Sequence, residues 1–207
     1  MRRRPLKVPI QLSLPRTAGH GGRRARAGRR KIKGVVSRRA RPALNWRHPL
    51  HIVLRLRKDV GRLRDKIRFR HLKKAFRDGC QQFGLRMCEF SVQNTHIHLI
   101  VEADDKTALS RGMQALEIRL AWQINQTRKL RGRVFADRYF ARPLRTPTEV
   151  ARAVHYVHYN WRHHGDAAGL PVDPFSTLSG EACWYDEETK TVAEPRTWLL
   201  IHAPPIR

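Results

Sequence analysis

The chain has 207 residues and carries 43 Lys and Arg against 17 Asp and Glu, a formal charge of +26 at neutral pH. That length suits one ordinary domain plus a tail, and that charge favours polyanionic partners, because each neutralised phosphate releases counterions. The three cysteines, Cys80, Cys88 and Cys183, are odd in number and form no C-x-x-C, which argues against a disulfide framework and a thiolate zinc site. No signal-peptide pattern and no apolar run of about 18 residues occurs; the expected compartment is the reducing cytoplasm.

Charge is divided unevenly along the chain. Residues 1–50 hold 16 Lys and Arg and no acid, leaving 27 bases and all 17 acids for the remainder, a net of +10. Residues 1–47 are rich in Arg, Gly, Ala and Pro and read as a disordered basic arm, since they offer too little apolar surface to offset ordering entropy. Such an arm either stays solvated or touches phosphates without specificity.

From Pro49 the pattern turns globular. Ile52, Leu54 and Leu56 alternate as on a strand. Leu63, Ile67, Leu72, Phe76, Cys80 and Phe83 recur at near-helical spacing, with Gly84 placed as a helix C-cap. Strands are expected over 85–92 and 95–102, and a helix over 106–129 with Leu109, Met113, Leu116 and Leu120 inward. Residues 134–144 read as a fourth strand. A last helix runs from Pro147 to about residue 163. The order β-α-β-β-α-β-α predicts an α+β domain: an antiparallel sheet of about four strands with helices packed on one face. We place this domain at 48–180 and a C-terminal extension at 181–207.

Two motifs carry chemistry. In Thr95-His96-Ile97-His98-Leu99-Ile100-Val101-Glu102, strand alternation turns Ile97, Leu99 and Val101 to one side and His96 and His98 together to the other. Two neighbouring imidazoles are a natural metal pair, although an isolated H-x-H is more often two ordinary surface histidines. The second motif is the last helix. Thr146-Pro147-Thr148-Glu149 is a capping box with Pro at the first helical position. Val150, Val154, Val157 and Trp161 form its packing stripe, and Arg152, Tyr156, Asn160 and His163 fall on another face. Tyr156 and Asn160 lie one turn apart. A helical Tyr is usually packing, but here the packing stripe is already supplied.

Taken together, the paired-His strand and the later Tyr/Asn helix resemble the His-hydrophobe-His superfamily of single-strand nucleases. The likeness is to its single-tyrosine transposases of the insertion-sequence 200 type and their relatives associated with repetitive extragenic palindromes. His96-Ile97-His98 matches the signature, and Tyr156-Val157-His158-Tyr159-Asn160 matches the tyrosine helix. Arg162-His163-His164-Gly165 and Asp173-Pro174-Phe175-Ser176-Thr177 resemble the segments that follow it. The chain departs from the family pattern at Gln93-Asn94-Thr95, where Pro-Asn is common before the first histidine, and at Trp161, where Pro is common.

The resemblance implies a ferredoxin-like fold and a transposase that cuts and rejoins single-stranded DNA. It implies Tyr156 as nucleophile, with Tyr159 and Tyr139 as weaker competitors. His96, His98 and Asn160 would hold Mg²⁺ or Mn²⁺; the ligand set alone would also accept Zn²⁺. It further implies hairpin-bearing single-stranded DNA as partner, a homodimer, and a place on the nucleoid. Arg138, Arg142, Arg145, Arg152 and Arg162, with Trp122 or Trp161 for base stacking, are expected to bind the strand, though the ordinary role of any single surface Arg is solvation. A two-histidine phosphoesterase would need two His-x-Ser/Thr motifs; only one H-x-H occurs, and it lacks the hydroxyl. A basic ribosomal-type protein leaves the capped Tyr/Asn helix unexplained. A domesticated, non-catalytic nucleic-acid binder derived from such a transposase remains the alternative.

Overall fold

The computed structural model describes residues 43–164, 170–179 and 191–204. The expected basic arm up to residue 42, Cys183 and the side chains of His163 and His164 lie outside the described residues. The elements are β1 (Leu50–Arg55), α1 (Lys66–Gly79), β2 (Gln81–Gln82), β3 (Leu85–Val92), β4 (His96–Ala103), α2 (Lys106–Arg128), β5 (Phe140–Pro143), α3 (Pro147–Tyr159) and α4 (Trp198–Ile201). Short 3-10 turns cover Lys58–Val60 and Asn160–His164. The five strands form one sheet in the order β2-β3-β4-β1-β5, each pair antiparallel. This is the expected α+β class, with β2 as an additional two-residue edge strand.

One face of the sheet carries Leu50, Ile52, Leu54, Phe90, Val92, Ile97, Leu99 and Val101, packed against Leu72 and Phe76 of α1 and Leu109, Met113, Leu116 and Leu120 of α2. The other face is not bare, which corrects the expectation of helices on one side. Ile100, which alternation turns away from Leu99 and Val101, is fully buried with Leu144, Val150 and Val157 beneath α3. Leu199 and Leu200 of α4 pack on this second cluster. The face that bears His96 and His98 is therefore roofed by the tyrosine helix, and that roofing builds the site.

Local signals explain most boundaries. Asp65 caps α1, accepting from the backbone N–H of Ile67 and Arg68. The apolar period extended too far at both ends, for Ile67 and Phe83 are exposed. Gly84 is not a helix cap: α1 ends at Gly79, and Phe83 and Gly84, with φ of 55° and 78°, form the two-residue turn that pairs Gln82 with Leu85. The fourth strand is shorter than expected. Leu56 bridges Phe135, but the Asp137 side chain accepts from the next residue's N–H at 2.8 Å, a local bond that competes with the ladder. Regular pairing resumes only at Phe140. A bulge between Met87 and Glu89 adds one residue to β3 and turns Glu89 toward α3.

Two buried ion pairs tie later segments to the sheet. Arg64 forks onto Asp173 at 2.8 and 3.1 Å, and Asp173 also accepts from Ser91 and the Phe175 backbone. Glu102, fully buried, accepts from Arg86 Nε at 3.0 Å, from the backbone N–H of Arg196 and Thr197, and from the Thr197 hydroxyl. Val192 is buried in the first core, and Ala193 is buried beside it with its N–H bonded to the Met87 carbonyl. Among the described residues no helix is long and apolar enough to cross a membrane.

Candidate active site

His98 is the centre of the site. It lies on β4 opposite Val53 of β1 and is 3% exposed. Its Nε2 is 3.1 Å from the Asn160 amide nitrogen. The His96 ring stands two residues along, 4.6 Å away between centroids and at 89° to it; Thr95 Oγ1 lies 3.2 Å from His96 Nδ1. The Tyr156 ring meets His98 edge-on at 5.2 Å. Tyr156 is 44% exposed, so its ring is anchored on one side and open to a ligand on the other. The structure thus brings His96, His98, Tyr156 and Asn160 together from two distant stretches of sequence. The helix does this by its packing: Val150 and Val157 are buried with Ile100 of the sheet and Trp161 is buried just past the helix end, which leaves Tyr156 and Asn160 at the histidines.

The competing tyrosines sit elsewhere. Tyr159 packs against His155 at 4.6 Å and under the Arg162 guanidinium at 4.9 Å. Tyr139 is buried in the first core.

His51, on the first strand, joins the site without any motif in the sequence that singles it out. Its Nε2 is 3.0 Å from His98 Nδ1, its ring lies 23° from parallel to that of His98, and it meets Tyr156 edge-on. Burial, with Arg142 nearby, lowers its pKa to about 4, so the ring is neutral. The available signal was alternation: with Leu50, Ile52 and Leu54 inward, His51 shares the face of His98, but only the β1–β4 pairing makes them neighbours. A second missed group is Glu89, which accepts from His158 at 3.0 Å and from the Thr177 hydroxyl. The β3 bulge that aims Glu89 has no sequence signal we can point to.

The expected strand-binding residues divide. Arg145, just ahead of α3, and Arg152, one turn before Tyr156 on it, are exposed. Arg142 is exposed but contacts Glu149 at 3.3 Å. Arg162 covers Tyr159 and reaches the Pro171 carbonyl at 3.5 Å. Arg138 is half-buried in the bend before β5. Trp161 is fully buried and cannot stack a base: it fills the position where the helix ends on the core. Trp122 is exposed, but on α2, across the sheet from His98.

The donor set fits a divalent cation in kind. Among the described residues no group of three His, Cys, Asp or Glu side chains is disposed to hold a metal, so an ion here would take two imidazoles and an amide oxygen. Such a borderline set suits several first-row metals.

A family model described as "Transposase IS200 like" matches residues 45–160, a span that begins before β1 and ends on Asn160. The chain belongs to this transposase family. No curated protein sequence matches it. Among solved structures it is similar to a REP-associated tyrosine transposase bound to a REP hairpin, at 16% identity and a TM-score of 0.54, covering 78% of this chain and 99% of that one. That likeness is one of fold. It also matches a candidate transposase from Deinococcus radiodurans at 19% identity and a TM-score of 0.39, over 55% of this chain and 85% of the other. The matched segment of this transposase-family chain holds every residue assembled around His98.

Proposed function

We propose that this protein cleaves and rejoins single-stranded DNA through a covalent bond to Tyr156. The observation that carries this reading is the half-exposed Tyr156 ring set against His98, with Asn160 and His96 around the same imidazole. A nucleophile must reach its substrate, and Tyr156 alone among the three tyrosines weighed is both half-exposed and in edge contact with His98.

In this reading Tyr156 Oη attacks a backbone phosphorus, forming the Tyr–O–P bond as the P–O3′ bond breaks. The phenol gives up its proton and the departing 3′ oxygen gains one. The product is a 5′-phosphotyrosine and a free 3′-hydroxyl, and attack by a 3′-hydroxyl on the same phosphorus reverses the step without ATP. His96, His98 and Asn160 would hold Mg²⁺ or Mn²⁺, which when bound polarises the phosphate oxygens and orients the phosphate. Arg152, one turn before Tyr156 on α3, and Arg145, just ahead of that helix, are exposed and would bind the strand's phosphates. The substrate we assign is a hairpin-bearing single strand, the kind of ligand named for the solved REP-associated enzyme. The active form we assign is a homodimer.

Incubation of the full chain with end-labelled hairpin single strands and Mn²⁺ tests this. The reading expects cleavage that leaves a 3′ end extendable by a polymerase and a 5′ end blocked by protein. Tight binding with no cleavage across a broad pool would favour the domesticated, non-catalytic binder.

A further inference from the structure

We propose that His51 is a positioning residue that fixes the tautomer and ring orientation of His98, so that Nε2 of His98 is the nitrogen presented to the site; this rests on the metal-site reading above. His98 is held at both ring nitrogens. Asn160 approaches Nε2 with its amide nitrogen at 3.1 Å, and His51 Nε2 approaches Nδ1 at 3.0 Å. With the Asn160 amide nitrogen facing it, Nε2 of His98 accepts and the proton of the neutral ring sits on Nδ1; a cation bound at Nε2 would replace this bond, with the amide turned so that its oxygen faces the ion. That Nδ1–H then donates to His51 Nε2, which places the proton of His51 on its own Nδ1. The two rings lie 23° from parallel with centroids 5.2 Å apart, the separation of rings that meet end to end through the 3.0 Å N–N contact, as an in-plane N–H requires.

Metal-binding histidines generally pass their second N–H to an acceptor that sets the ring's direction and tautomer, and losing that acceptor costs about 10–100-fold in metal affinity. The acceptor is often a carboxylate. Here it is an imidazole, which orients the ring without adding negative charge. The backbone supports the pairing: His51 and Val53 share the His98 face of β1, and Val53 stands opposite His98.

The test uses the full chain labelled with ¹⁵N-histidine, without metal, and compares wild type, His51→Leu and His51→Gln. Gln keeps an oxygen acceptor at about the reach of Nε2. The ring-nitrogen spectrum of His98 should show the Nδ1–H tautomer in wild type, a tautomer mixture in His51→Leu, and recovery in His51→Gln. Mn²⁺ titration of the same samples should show affinity about 10–100-fold weaker in His51→Leu and largely restored in His51→Gln. An Nε2–H tautomer in wild type, or an undisturbed Nδ1–H tautomer in His51→Leu, overturns the assignment. The spectrum needs no metal, so a wild-type protein that binds no Mn²⁺ would defeat the metal reading while this inference is still decided by the tautomer.

Discussion

Tyr156 and Glu102 show two opposite uses of a polar side chain. Tyr156 is 44% exposed and its ring packs by its edge alone, so removing its hydroxyl should leave the fold intact. Tyr156→Phe is expected to shift stability by less than about 0.5 kcal/mol, as for surface changes away from buried networks, and to abolish cleavage; urea unfolding beside the cleavage assay checks both. Glu102 is fully buried and accepts from Arg86, Arg196 and Thr197. Glu102→Ala leaves the Arg86 guanidinium buried without this partner and unties the segment leading into α4. It should cost about 3–5 kcal/mol, the usual loss when one member of a buried ion pair is removed. A loss under about 1 kcal/mol by the same urea measurement would mean that water reaches Arg86 freely. Trp161 marks the limit of single-residue reading: an aromatic beside a basic face reads equally as a stacking platform or as core, and here burial makes it core.

Among the elements, α3 carries the most consequence. Its start is held as the sequence indicates, with Thr146 Oγ1 accepting from the Glu149 N–H at 3.2 Å. The Glu149 carboxylate reaches back to the Arg145 N–H at 2.7 Å and to Arg142. The Arg145 bond and, after it, Arg142 hold the Glu149 pKa below its ordinary value. A carboxylate with a depressed folded-state pKa contributes stability above its unfolded pKa, and that contribution is lost as pH falls through the folded value. Thermal melts should therefore show a smaller drop between pH 6 and pH 3 for Glu149→Gln than for wild type; equal drops would remove Glu149 from the account. On the other face, α2 lies so close to β3 at Gly112 that an added Cβ would collide with the Leu85 side chain. Gly112→Ala is expected to destabilise by about 1–3 kcal/mol through overpacking, measured by denaturant unfolding. The long helices α2 and α3 were legible because one-sided burial imposes a helical period, and β3 and β4, buried along almost their whole length, were legible as short runs bounded by turns. The 134–144 run was not, because Asp137 bends it by a bond that alternation does not encode, and Gly84 has the same residue identity whether it ends a helix or turns a hairpin.

At the scale of the molecule, the charge of +26 predicts association with single strands that weakens steeply with salt. If about 6–10 phosphates are contacted, affinity should fall by about 10³–10⁵ between 50 and 200 mM salt. Arg152→Ala should lower the slope of log K against log salt by about one, measured by fluorescence anisotropy; an unchanged slope would move the strand off α3. How the site closes was only partly legible. Alternation put His96 and His98 on one face and helical spacing put Asn160 one turn from Tyr156, but neither says that α3 roofs that face. That depends on Ile100 being buried on the far side of the sheet, and on a β1–β4 pairing that brings His51 into reach. The central claim is that the roofing helix delivers Tyr156 as a nucleophile. The most direct measurement is mass spectrometry of the protease-digested protein after reaction with hairpin single strands and Mn²⁺. We predict a nucleotide phosphate on the peptide that bears Tyr156, absent from Tyr156→Phe; an adduct mapped to Tyr159, or one that persists in Tyr156→Phe, would contradict the account.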